Sequence, residues 1–239
     1  MKEILLQKIA NTIACNLEST EDVGLFHGKT GTAMFLYAYA RHTGRRQYEA
    51  WADRVLDEVY MAEKKSLTAG VADGYAGIGI GLAWLLQHDF VNGEADRILG
   101  QIDTLMFDCA EESLRSDMLY DSPVLSASVY LQWRLPLCHR EQRTTWTTIV
   151  SEVEQKFVRS RESAHRGIHD KAGCDHFNRG TTDLCNRLWW DFVKQETKPF
   201  IGIEKTEEIV NQLQKDFVYD MPTVNARLSI VGLSLLSDK

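Results

Sequence analysis

Five polar side chains occupy one position of a repeated pattern: His27, Asp73, Asp121, Arg179 and Asn225 each directly precede a small residue, namely Gly28, Gly74, Ser122, Gly180 and Ala226. An imidazole, two carboxylates, a guanidinium and an amide brought to one place could bind a peptide or a small molecule, or move protons. Asp73 and Asp121 also invite a glycosidase reading. One would be the acid and the other the base or nucleophile, facing each other across about 5 to 10 Å. The sequence supplies no aromatic sugar subsites around them beyond Tyr75, Tyr120 and Trp84, which suit a core.

The small residues are spaced 46, 48, 58 and 46 apart. The first two copies are the clearest, Gly24-Leu-Phe-His-Gly-Lys-Thr-Gly31 and Gly70-Val-Ala-Asp-Gly-Tyr-Ala-Gly77, a G-x3-G-x2-G skeleton repeated at an offset of 46. A fixed offset marks a repeat architecture. Each copy opens a run that is apolar on nearly all sides, which as a helix must be buried all round. Between these runs lie one-sided patterns at helical spacing, such as Leu5, Ile9 and Ile13, then Tyr48, Val55 and Val59, then Ile98, Ile102 and Leu105. The later ones are Trp146 to Phe157 and Ile209 to Phe217. Arg41, His42 and Gly44 suit the C-terminal end of the first buried helix.

The chain is therefore predicted as a single all-α domain over 1–239, an α/α toroid-like array of about five helical hairpins with inner helices buried and outer ones half exposed. The 58-residue spacing implies a long polar loop near 160–179. If the inner helices run parallel, their N-termini converge, and the five polar residues line one polar mouth. Asp and Asn are also good N-caps, so the same residues could each cap their own helix.

Other motifs carry less. Gly28-Lys29-Thr30 resembles the end of a phosphate loop, but Val23 stands where the first glycine is needed and no strand precedes it. Gly77, Gly79 and Gly81 lie inside a helix, where each costs about 1 kcal/mol relative to alanine, and they read as points of close helix approach. Cys174, His176 and Cys185, with His165 and His169 nearby, suggest a zinc site as the alternative to a metal-free protein, although no pair has C-x2-C or H-x3-H spacing. No cofactor is expected.

Net charge is −7 and the pI about 5.5, which argues against a nucleic-acid or anionic-membrane partner. Lys2, Glu3 and Lys8 interrupt any N-terminal apolar segment, and no apolar run is long enough to cross a bilayer. Five cysteines at scattered spacings suggest reduced thiols, and the expected location is the cytoplasm.

The Gly24–Gly31 motif and the glycine-led segment Gly70–Gly81 resemble those of the lanthionine synthetase C-like family, cyclases and relatives built as α/α toroids. The resemblance implies the toroid fold, a peptide-maturation setting and a partner that is a peptide substrate or a peptide-modifying enzyme. It places His27 at the family histidine proposed for acid/base work. In the cyclases a zinc ion activates a cysteine thiol of the precursor peptide, held by a tryptophan-cysteine-tyrosine-glycine segment and a cysteine-histidine-glycine segment. Neither segment occurs here, so the expectation is binding without zinc-dependent cyclisation. An enzyme acting on a small molecule or carbohydrate through the polar mouth is the alternative. Seven hairpins make the full family ring, so a chain of this length implies an incomplete one.

Overall fold

A computed structural model describes residues 1–62, 67–115, 122–139, 142–152, 155, 181–194, 203–216 and 221–237. Asp121, Arg179, Cys174, His176 and the predicted 160–179 loop lie outside these residues.

The described elements are helical: α1 (Lys2–Cys15), α2 (Lys29–Thr43), α3 (Arg46–Met61), α4 (Tyr75–Gln87), α5 (Ala95–Arg115), α6 (Ser122–Arg134), α7 (142–152), α8 (Thr181–Val193), α9 (Ile203–Asp216) and α10 (Met221–Ser237). Among the described residues no helix is long and apolar enough to cross a membrane.

The predicted division into inner and outer helices follows the side-chain pattern. In α2 every residue from Thr30 to Tyr37 is buried, as its all-round apolar sequence demands. By contrast α3 buries only Tyr48, Ala52, Val55 and Val59, one stripe at helical spacing, and turns its charges outward. α2 ends as its sequence suggests. Gly44 adopts φ 69° and its N–H donates to the Ala40 carbonyl at 2.8 Å, a left-handed cap that a side chain would strain.

The inner helices touch in succession. α2 packs on α4, and α4 on α6. Trp133 of α6 stacks on Phe192 of α8 at 5.2 Å and donates its indole N–H to the Val193 carbonyl at 2.7 Å. α8 packs on α10, and α10 returns to α2. Among the described residues the inner helices thus touch in a circuit that returns to α2. The crossings need small residues. A Cβ on Gly79 would come within 2.3 Å of the Tyr130 ring, and one on Gly232 within 2.2 Å of Phe35. Close helix approach compensates for the low helix propensity of these glycines.

α5 and α6 are joined by a buried polar cluster. Arg134, fully buried, donates to Asp96 and Asp103, and the Tyr130 hydroxyl donates to Asp103 at 2.5 Å. Burial pushes the Asp103 carboxyl up, against the pull of Tyr130 and Arg134, and pushes the Tyr130 hydroxyl well up. Each buried polar group here has a partner, which keeps the cost of burial down.

Candidate functional site

The two clear motifs fold as two copies of one loop. Asp22 accepts from the Gly24 N–H through Oδ1 at 2.7 Å, and Thr68, its counterpart 46 residues on, accepts from the Gly70 N–H through Oγ1 at 3.2 Å. The Lys29 N–H donates to the Asp22 carbonyl and the Tyr75 N–H to the Thr68 carbonyl, both at 2.9 Å. Gly28 and Gly74 are the N-caps of α2 and α4, and neither helix has a side-chain cap bond at that position. A Cβ on Gly28 would lie 2.4 Å from the Gly24 nitrogen, and one on Gly74 would lie 2.3 Å from the Thr68 carbonyl oxygen. The loop can close this tightly only around glycine.

The first loop docks on the second. Leu25 and Phe26 donate their N–H groups to the Ala72 carbonyl at 2.8 and 2.9 Å. This contact brings His27 against Asp73, with Nδ1 to Oδ1 at 2.8 Å. An ionised carboxylate only accepts, so Nδ1 is the donor in this bond. The pair stands partly open, at 25% and 48% side-chain exposure.

Phe26 joins the histidine to a group of aromatic rings. Phe26 meets His27 edge-on at 6.3 Å, stacks on the buried Trp189 at 5.7 Å and meets Trp190 edge-on at 5.2 Å. Trp190 is 40% exposed and reaches this region through Phe26. On the same side of the fold Lys29, the first residue of α2, pairs with Glu58 at 2.8 Å, and Arg54 joins Glu58 to Glu18. The position pattern that singled out His27 and Asp73 carried no hint of Trp190. Its signal was local: the Trp189-Trp190 pair near the end of a helix where only one ring can be fully buried.

Of the five predicted residues, the fold brings His27 and Asp73 together as partners, not as separate helix caps. Asn225 is placed differently. α10 starts at Met221, with Pro222 accepted in its first turn, so Asn225 lies more than one turn inside the helix. It is buried, donates from Nδ2 to the Asn16 carbonyl at 2.7 Å, and ties α10 to the end of α1. Asp121 and Arg179 lie outside the described residues.

The family model for lanthionine synthetase C-like protein matches residues 2–128, just over half of the chain. The chain belongs to the lanthionine synthetase C-like family. No curated protein and no solved structure matches it. The match covers α1 to α5 and enters α6, the part that contains both clear loops and the His27–Asp73 pair.

Among the described residues no three His, Cys, Asp or Glu side chains are placed to hold a metal. Cys185, the described member of the weaker zinc alternative, is fully buried in α8, and burial pushes its thiol up to about 12. A zinc ligand needs the opposite environment, one that stabilises thiolate.

Proposed function

We propose that this lanthionine synthetase C-like protein takes part in the maturation of a ribosomally made peptide in the cytoplasm. It binds the peptide, or the enzyme that modifies it, at the paired loops and does not carry out zinc-dependent cyclisation. The observation that carries this reading is the His27–Asp73 pair, in which two polar side chains hold each other in place while glycines cap the helices. The pair stands partly open to solvent as a polar group, and Trp190, 40% exposed, adds an apolar surface against Phe26, the residue before His27. Family membership is compatible with a peptide-maturation setting, and the absence from this sequence of both zinc-ligand segments weighs against the cyclase reaction.

Affinity capture from the native host, with the full chain and with His27→Ala and Asp73→Ala forms, tests this. The expected result is a peptide or a peptide-modifying enzyme recovered with the unaltered chain and lost with both substitutions. Equal recovery from all three would overturn the site, and stoichiometric zinc in the same sample would overturn the metal-free reading.

A second reading takes the same pair as an acid/base device. A histidine oriented by a carboxylate is the arrangement used in many general-base sites. It would act on a small molecule or a carbohydrate. Turnover of such a compound that disappears in His27→Ala would favour it over binding alone.

A further inference from the structure

A cavity of about 330 Å³ opens where α2 ends, α3 begins and the connection from α4 to α5 crosses them. It lies at the other end of α2 from His27, about 20 Å away by helix rise. Its walls carry Arg41, Arg45 and Arg46 against Glu49 and Asp89, so cations are in excess here in a chain of net charge −7.

Arg41 is fixed in place. Its guanidinium lies 3.6 Å from the centre of the Phe90 ring and donates to the carbonyls of His88 and Asp89 at 2.6 and 2.8 Å. Asp89 has φ 53°, the single positive value at a non-glycine among the described residues, and it too lines the cavity. This is the left-handed residue that ends α4, with the Phe90 N–H donating to the Leu85 carbonyl at 2.9 Å, and it fixes the cavity wall. Among the described residues Arg41 forms no ion pair with a carboxylate. Arg45 and Arg46, both exposed, form no ion pair among the described residues, whereas Arg54 and Arg115 are each paired with a glutamate.

We propose that this cavity binds a phosphoryl group, with Arg45 and Arg46 as its ligands and Arg41 as a pre-positioned wall. A guanidinium fork matches the oxygens of a phosphate, and a phosphoryl group near charge −2 suits three arginines better than a single carboxylate would. Glu49 and Asp89 refine the choice. They repel a bare polyanion and accept from hydroxyl or amide donors next to the phosphate, which favours a phosphate ester over a diphosphate or triphosphate. The ester belongs either to a small molecule or to a phosphorylated peptide chain.

The test uses the full chain, titrated calorimetrically with inorganic phosphate, glycerol phosphate, a phosphoserine peptide and its unphosphorylated form. Saturable binding of a phosphate probe is expected, weakened at least about tenfold in Arg45→Gln/Arg46→Gln and by added salt, with an unchanged thermal melt. His27→Ala should bind as tightly as the unaltered chain, which separates this site from the peptide-maturation reading. Glycerol phosphate binding identifies a small-molecule source, and binding of the phosphopeptide alone identifies a chain-borne one. Failure of every phosphate probe to saturate, or equal binding by the double variant, would overturn the proposal.

Discussion

The Nδ1 of His27 lies 2.8 Å from Oδ1 of Asp73, and the two residues are equivalents of one another, 46 positions apart in consecutive copies of one loop. Their pairing follows from the docking of loop on loop, since both N–H groups just before His27 are bound to the carbonyl just before Asp73. The partly exposed pair adds little to stability, roughly 0.2 to 1 kcal/mol for ion pairs of this kind. Asp73→Asn is therefore expected to leave the midpoint of urea denaturation almost unchanged while weakening capture of the peptide or enzyme partner. A loss of stability above about 2 kcal/mol would show that the pair is a structural clamp.

Two glycine substitutions should act in opposite directions. A Cβ on Gly77 would lie 1.9 Å from the Val71 carbonyl oxygen, inside the loop that opens α4, so Gly77→Ala should destabilise by about 3 kcal/mol despite the better helix propensity of alanine. Gly100, in the outer helix α5, has nothing within 4 Å of the added carbon. There Gly100→Ala should stabilise by roughly 0.5 to 1 kcal/mol, and thermal unfolding of the two variants checks both signs.

Removal of Arg134 leaves Asp103 buried without its cation, and Arg134→Met is expected to cost about 3 to 5 kcal/mol at pH 7. Asp103 already has its carboxyl raised by burial, and loss of the guanidinium raises it further. A carboxyl with a raised folded value binds more protons folded than unfolded, so stability falls as pH rises from the unfolded value, about 3.9, through the folded one. The deficit of the variant should therefore be smaller at pH 4 than at pH 7. Denaturation curves at the two pH values measure it, and a pH-independent deficit would contradict this account.

The thiols should divide by burial. Cys15 is exposed, whereas Cys185 is fully buried with its thiol pushed up to about 12. At pH 8 a thiol reagent should label Cys15 within minutes and Cys185 only as fast as the chain unfolds. Peptide mapping after timed labelling distinguishes them, and rapid labelling of Cys185 would contradict its burial.

Much of the architecture was legible in the sequence because burial leaves a local trace. The run from Thr30 to Tyr37 has no polar face, and a helix with no polar face has to sit inside; the stripe Tyr48, Val55 and Val59 has one, and lies outside. The matching glycines announced the repeated loop, since Gly28 and Gly74 sit where no Cβ fits. Less could be read in the fifth hairpin. Asn225 shares the position pattern of His27, yet α10 begins four residues before it and places it within the helix, because Pro222 is compatible with a first turn and the glycines that would force a loop are missing.

By itself, then, the sequence determined the alternation of inner and outer helices and the position of the two glycine loops, properties set by each segment's own periodicity and by where a side chain is sterically impossible. Only the tertiary structure decided that His27 meets Asp73, that Trp190 packs on Phe26 and that Arg134 is buried between two aspartates. Those relationships join segments between 30 and 170 residues apart. They depend on how whole helices and loops dock on one another, which is a property of the shared core and leaves no period in the chain.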